Sequence, residues 1–126
     1  MYVLIGLIIG AVLAFLTPVT IPAAYSEYVA IALLGALDSA FGGIDAMLRG
    51  RFRLKIFLAG FFGNAIIAWA LTFVGDRLGI NLFLPAAVVF GTRIFQNFAD
   101  MRRYLLTFRQ KKDKIENKNT EKDSEV

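Results

Sequence analysis

The fold is decided by the sequence YVAIALLGALDSAFGGIDAML at residues 28–48 and by the RGRFRLK that follows it at residues 49–55. The first part is an apolar run close to the ~20 residues that a helix needs to cross the hydrocarbon core of a bilayer. The second part is a short joint that carries four positive charges. Three more apolar runs of similar length lie at residues 2–21, 54–74 and 82–101. The sequence therefore predicts an all-α, polytopic membrane protein, a bundle of four transmembrane helices.

The composition supports this fold class and excludes several kinds of chemistry. Hydrophobic residues make up 57% of the chain and the mean hydropathy is +0.60, whereas about half apolar is usual for a soluble domain. The chain has no cysteine and no histidine. It therefore lacks a thiol nucleophile, a disulfide, the commonest metal ligand and the usual proton shuttle at neutral pH. We expect a protein that is not an enzyme and that holds no cofactor or metal.

The basic residues are concentrated in alternate joints between the apolar runs. The joint between the first two runs has no lysine or arginine, and the joint around Asp76 and Arg77 is neutral. Positive charges fill residues 49–55 and return directly after the fourth run, at Arg102, Arg103 and beyond. Short basic loops stay in the cytoplasm. Both termini are therefore expected on the cytoplasmic side, and this topology accounts for the net charge of +4 without a nucleic-acid partner.

The character of the chain changes abruptly near residue 109. Residues 111–126 are almost entirely polar and charged, with acids and bases in near balance and no apolar periodicity. Such a segment buries too little apolar surface to offset the entropy lost on ordering. We therefore predict a four-helix transmembrane domain over residues 1–108 and a disordered, charged cytoplasmic tail over residues 109–126.

Three polar residues, Asp38, Asn64 and Arg93, lie near the middle of the second, third and fourth runs. A lone charge at the centre of a bilayer costs roughly 2.5–3.5 kcal/mol on insertion scales. Opposite charges at a similar depth in a small bundle are therefore expected to meet. We predict that Arg93 pairs with Asp38 and that Asn64 lies close enough to join them.

Other polar residues share helix faces with this pair and extend it toward the cytoplasmic side. Asp45 follows Asp38 by seven residues, about two turns along the same helix face, and it can pair with Arg49. The predicted intramembrane polar network therefore consists of Asp38, Asp45, Asn64, Arg93, Gln96, Asn97 and Asp100. It either fixes the register of the helices or forms a polar path or pocket that opens to the cytoplasm.

Small residues form a second pattern, because they recur at the spacing that brings them to one helix face. Such stripes let helices approach closely within a bilayer. The candidate helix-packing residues are Gly6, Gly10, Gly42, Gly43 and Gly91. They serve packing within one chain, or Gly6 and Gly10 bind another subunit or a partner helix, because the first run has no polar residue to bury.

Three stretches carry a resemblance to a known family. They are TIPAAYSEY at residues 20–28, ALDSAFGGI at residues 36–44, and FGTRIFQN at residues 90–97 with Arg102 and Arg103 after it. Together they resemble the small basic protein family of Gram-positive and related bacteria, over the chain up to about residue 108. The resemblance implies a multi-pass protein of the bacterial plasma membrane, often encoded beside cell-division genes, and it supplies no catalytic residues. It draws attention to Asp38, Gly42, Gly43, Arg93, Gln96 and Asn97.

These observations favour a non-enzymatic scaffold or subunit of an envelope or cell-division assembly. Its expected partners are the lipid bilayer and either further copies of itself, as a homo-oligomer, or another membrane protein. The alternative hypothesis is a minimal channel or transporter. It would use Asp38, Asn64 and Arg93, since transporters often bind their substrates near the midplane of the membrane.

Overall fold

A computed structural model describes residues 2–126 and shows an all-α chain of four helices, as the sequence predicts. They are α1 (Tyr2–Leu16), α2 (Ala23–Leu48), α3 (Leu54–Leu78) and α4 (Phe83–Ser124). Two of them, α2 and α3, are long and apolar enough to cross a membrane. α1 is more apolar than either but has only 15 residues, and α4 joins an apolar half to a charged half.

The ends of the helices have local causes in the sequence. α1 ends at Leu16, well before the end of its apolar run, because Pro18 disfavours a helical backbone at Thr17 and has no amide to continue the helix. The amide and the hydroxyl of Thr17 both donate to the carbonyl of Leu13 in the last turn. Gly50 and Gly79 have φ values of +68° and +69°. These left-handed positions end α2 and α3, since glycine adopts them without steric cost.

α2 is the central helix of the bundle. It packs against both α3 and α4, which contact each other far less. α3 runs antiparallel to α2 and α4 runs parallel to it. The buried core lies between these three helices and consists of Ile31, Ala68, Ala86 and Phe90.

The backbones of α2 and α3 lie close together at Gly35 of α2. A methyl group added at this glycine would lie 3.0 Å from the carbonyl oxygen of Asn64 on α3 and 3.1 Å from its carbonyl carbon. Gly35 is therefore the position at which the backbones of α2 and α3 meet, as small residues permit in membrane helix pairs.

A polar and aromatic cluster lies where the start of α2 meets the end of α3. The Tyr28 hydroxyl donates to Asp76, and the Tyr28 ring lies 6.0 Å from the ring of Trp69. Trp69 in turn stacks on Phe73 at 5.6 Å. The start of α2 is thus fixed to the end of α3.

α1 is the least attached helix. Within residues 2–126 it packs against α2 alone among the helices, and it has no buried residue. Val3 and Leu7 are half-buried, while Gly6 and Gly10 are exposed. The small-residue face of α1 is therefore free of close contacts within the chain.

Large apolar side chains cover the outside of the bundle. Exposed examples from every helix are Ile8, Leu13, Leu33, Ile66, Ile67, Val88, Phe95 and Phe98. A water-soluble monomer rarely exposes contiguous apolar surface on this scale. In the described part of the chain, all four helices therefore present large apolar side chains on the outside of the bundle.

The tail is helical in the structure, contrary to the sequence prediction of disorder for residues 109–126. α4 continues without a break to Ser124, although residues 105–126 are all exposed. The tail extends a helix that already exists, so it avoids the cost of nucleation. Its many lysine and glutamate residues are also good helix formers. Helix propensity is therefore sufficient to keep the tail helical without any burial of its side chains.

The close approach at Gly35 predicts opposite effects for two matched substitutions. Alanine favours a helix over glycine by up to about 1 kcal/mol, and Gly91 has nothing within 4 Å of an added methyl group. Gly91→Ala should therefore leave the midpoint of thermal unfolding in detergent unchanged or raise it. Gly35→Ala should lower the midpoint, because forced separation of packed elements costs about 1–3 kcal/mol. Equal midpoints for the two variants would contradict the α2–α3 contact.

Candidate functional site

An ion pair between α2 and α4 lies at the centre of the site. Nη2 of Arg93 is 3.2 Å from Oδ2 of Asp38. The Asp38 side chain is fully buried, whereas 54% of the Arg93 side chain is exposed. The structure thus brings together the two charges that the sequence places at similar depth. Asp38 is the enclosed partner, and Arg93 reaches it from the edge of the bundle.

Asn64 joins the pair from α3. Its Nδ2 lies 3.4 Å from Oδ2 of Asp38 and donates to the Ser39 hydroxyl at 3.0 Å. One atom is left over: Oδ1 of Asp38 is buried and has no hydrogen-bond partner among the described residues. A buried acceptor without a partner costs about 1–3 kcal/mol. Oδ1 of Asp38 can therefore still accept a hydrogen bond.

A second ion pair lies at the end of α2 that leads into the basic connection. Nε of Arg49 lies 2.9 Å from Oδ1 and 3.0 Å from Oδ2 of Asp45. The Arg49 guanidinium also lies over the Tyr104 ring of α4, 5.1 Å from its centroid. The predicted Asp45–Arg49 contact is present, and the same arginine links the end of α2 to α4.

A cavity of about 290 Å³ lies between the central ion pair and the α2–α3 connection. Three arginines and one aspartate contribute charge to its wall: Arg51, Arg53, Arg93 and Asp38. Its other polar side chains are Ser39, Asn64 and Asn97. The cavity is therefore polar and carries an excess of positive charge.

The wall of this cavity depends on two glycines of α2. A methyl group at Gly43 would lie 2.8 Å from the Phe57 ring, so the absence of a side chain lets Phe57 pack against α2. Phe57 is also 5.6 Å from the Phe52 ring of the connection. Gly42 faces Asn97, whose Nδ2 would lie 3.9 Å from an added methyl group. Gly42 and Gly43 thus line the cavity and shape it.

The cavity is closed at the end away from the connection. Beyond Asn64 the space between α2, α3 and α4 is filled by the buried core of Ile31, Ala68, Ala86 and Phe90. The buried Thr72 hydroxyl donates to the Ala68 carbonyl of its own helix and opens no polar route. The arrangement is a pocket with one polar end.

Some of the residues singled out from the sequence lie outside this site. Gln96 and Asp100 are exposed on α4 and do not line the cavity. Gly6, Gly10 and Gly91 have nothing within 4 Å of an added methyl group. On α1 the half-buried residues are Val3 and Leu7, so the helix-packing role of these three glycines stays a prediction.

Three residues of the site have a role that the sequence reasoning did not assign. The Ser39 hydroxyl accepts a hydrogen bond from Asn64. Its position directly after Asp38 in the sequence could have indicated that it belongs to the site. Arg51 and Arg53 line the cavity, although the sequence identified them only as charges that set topology. Among residues 2–126, no group of three or more His, Cys, Asp or Glu side chains could hold a metal ion.

The fold and site define a class of small helical protein, with apolar helices arranged around a buried ion pair and a basic pocket. Residues 21–106 match a family described as a protein of unknown function (DUF1290). The chain belongs to this family. No solved structure matches it.

Curated relatives support this assignment. The chain is 46% identical to the "Small basic protein" of Bacillus subtilis over 103 residues, which cover 82% of this chain and 85% of the relative. It is 39% identical over 102 residues to uncharacterized proteins of Mycobacterium bovis and Mycobacterium tuberculosis, with 79% of this chain and 84% of each relative covered. The resemblance to the small basic protein family that the sequence motifs indicate is confirmed.

The central ion pair predicts a non-additive result in a double-mutant cycle. Arg93→Ala should destabilise the purified protein by about 3 kcal/mol, because it leaves the fully buried Asp38 carboxylate without its partner. Asp38→Ala should cost less, because 54% of the Arg93 side chain is exposed. The double variant should recover much of this loss, since both charges are gone. Thermal unfolding in a mild detergent measures all four proteins. Losses that simply add in the double variant would show that the two side chains do not interact.

Proposed function

We propose that this chain is a multi-pass protein of the bacterial plasma membrane, with four membrane-crossing helices and both termini in the cytoplasm. α1 would cross together with the apolar residues that follow it, up to residue 21. The proposal is supported by the apolar side chains that cover the bundle, by the length and composition of α2 and α3, and by the basic connection at residues 49–55. Basic connections remain on the cytoplasmic side.

We further propose that the protein is a non-enzymatic scaffold or subunit of a membrane assembly. One observation carries this: the Gly6 and Gly10 face of α1 is open and borders a wide apolar groove. The groove has a volume of about 920 Å³ and is lined from the opposite side by Leu33, Leu37 and Phe61, among others. Small residues on a helix let another helix approach closely in lipid. The partner would be a second copy of this chain or a helix of another membrane protein.

The biological setting proposed for this assembly is the cell envelope, in connection with cell division. The support is the relationship to the small basic protein family, whose genes often lie beside cell-division genes. This setting suits a structural subunit, because α4 extends well beyond the apolar part of the bundle and presents a charged helix on the cytoplasmic side.

A second candidate function is a minimal channel or transporter. The observation in its favour is the polar cavity that reaches Asp38, Asn64 and Arg93, since buried charges often mark the paths of ions and substrates. The apolar core beyond Asn64 argues against it. A path through this single chain would require α2, α3 and α4 to separate at Ile31, Ala68 and Phe90.

The membrane topology predicts a clear pattern of thiol labelling. The native chain has no cysteine, so single cysteines can be introduced on an unreactive background. Ile80→Cys should react with a membrane-impermeant thiol reagent in intact cells, whereas Lys55→Cys and Asp123→Cys should react only after permeabilisation. The reverse pattern would overturn the orientation. Labelling of all three in intact cells would overturn the number of crossings.

The open face of α1 predicts that bulky residues there weaken association. Energy transfer between labelled chains in vesicles, measured over a range of protein-to-lipid ratios, reports self-association. Gly6→Ile with Gly10→Ile should weaken it at least about tenfold, which corresponds to roughly 1.4 kcal/mol of lost helix packing.

Gly91→Ile provides the control for this measurement, because Gly91 likewise has nothing within 4 Å of an added methyl group but lies on α4. It should leave association unchanged. A wild-type protein that stays monomeric at all ratios would exclude the homo-oligomer and leave another membrane protein as the partner. An oligomer unaffected by the α1 substitutions would show that this face is not the interface.

A further inference from the structure

The cavity beside the central ion pair has more positive charge than its own acid can balance. Arg51, Arg53 and Arg93 face it, with Asp38 as the one lining carboxylate within the described chain. The ion pairs found in residues 2–126 are Arg93–Asp38 and Arg49–Asp45. The guanidinium groups of Arg51 and Arg53 therefore have no carboxylate partner in that part of the chain. The cavity as a whole favours an anion.

The type of anion follows from the chemistry of arginine. A guanidinium group presents its N–H donors in a planar fork that matches the oxygens of a phosphate or carboxylate. Arg51 and Arg53 lie on either side of Phe52 in the α2–α3 connection and are both exposed, and Arg53 has an extended backbone, with φ −129° and ψ 117°. Arg93 contacts Asp38 through Nη2, and a guanidinium has five N–H donors. Arginines from two segments of the chain thus line one cavity.

The unpartnered oxygen of Asp38 is a second, independent feature of the same space. Oδ1 is buried without a hydrogen-bond donor in the described residues, and Asp38 lines the cavity. An anion alone would be repelled by this carboxylate. Oδ1 has almost no accessible surface in this arrangement, so the carboxylate must turn toward the cavity to meet a ligand. A ligand that also carries a hydroxyl group would then donate to it and relieve the desolvation cost of the unused acceptor.

We propose that this cavity binds a phosphate group that carries a neighbouring hydroxyl. The phosphate lies against Arg51, Arg53 and the free donors of Arg93, and the hydroxyl donates to Oδ1 of Asp38. The volume of about 290 Å³ is close to the lower limit of ordinary ligand pockets. It suits a glycerol phosphate group and leaves no room for acyl chains.

Two sources supply this chemistry, the headgroup of an anionic phospholipid and a soluble glycerol phosphate. The choice between them rests on the proposed membrane placement. In that placement the mouth of the cavity lies at the cytoplasmic surface, where anionic headgroups are concentrated, and the acyl chains remain in the bilayer beside the exposed apolar helices. The lipid headgroup is therefore the source we expect.

The test is binding to the purified full-length protein in mild detergent, which does not depend on orientation in a membrane. Native mass spectrometry measures the retention of short-chain phosphatidylglycerol, phosphatidylmethanol and phosphatidylcholine. Phosphatidylmethanol keeps the anionic phosphate but lacks the hydroxyl, and phosphatidylcholine adds a positive charge. We expect phosphatidylglycerol to bind at least about tenfold more tightly than either, as the loss of a hydrogen bond to a charged group predicts.

Matched variants show whether binding occurs in the cavity. Arg51→Gln with Arg53→Gln should weaken phosphatidylglycerol binding at least about tenfold, because two charge-assisted contacts are lost. Arg102→Gln with Arg103→Gln removes the same charge from α4 outside the cavity and should change binding by less than about twofold. An equal loss in both variants would show a general surface attraction and overturn the site.

The remaining outcomes decide the ligand. Equal binding of phosphatidylglycerol and phosphatidylmethanol would overturn the role of the hydroxyl and of Asp38. Glycerol 3-phosphate that binds as tightly as the lipid and depends on Arg51 and Arg53 would support the phosphate site and overturn the lipid source. Failure of all the phosphate ligands would overturn the proposal. It would leave the labelling pattern and the α1 association, which are measured separately, unaffected.

Discussion

The pairing of Asp38 with Arg93 is the constraint on which the rest of the bundle depends. A carboxylate that is fully buried among apolar helices is tolerated when an opposite charge and further donors surround it. Arg93 provides the charge at 3.2 Å, and Asn64 adds a donor from the third helix of the bundle. This requirement fixes the relative height of α2, α3 and α4. The apolar core then packs on one side of the pair, and the polar cavity lies on the other.

The depth of the three polar residues in their apolar runs was enough to predict this pairing. Segment lengths and the cost of an isolated charge place Asp38, Asn64 and Arg93 at one level, and no other arrangement of a small bundle satisfies both charges so directly. The apolar runs likewise predicted α2 and α3. The end of α2 and the start of α3 agree, whereas α2 begins five residues earlier and α3 ends four residues later than predicted. These features could be predicted because they follow from the length of the apolar runs and from the free-energy cost of an isolated charge in a bilayer.

Features that depend on the detailed path of the chain could not be predicted from the sequence. Small residues are frequent in every apolar run, so the pattern could not distinguish Gly35, where two backbones meet, from Gly6, which contacts nothing. Arg51 and Arg53 line the cavity through the path of the α2–α3 connection, which no local pattern in the sequence specifies. The helical tail was missed because composition measures the capacity for burial, whereas an existing helix is extended by local propensity alone.

The unbroken course of α4 has a mechanical consequence. Between Arg93 and Ser124 the chain is one helix, about 47 Å long at 1.5 Å per residue. The helix is held against α2 as far as Tyr104, which lies under the Arg49 guanidinium, and every residue beyond Tyr104 is exposed. The part of α4 that projects beyond Tyr104 is about 30 Å long, so a tilt of about 10° there displaces its far end by roughly 5 Å. A small change in the angle between α2 and α4 therefore becomes a larger displacement at the distant charged end of the protein.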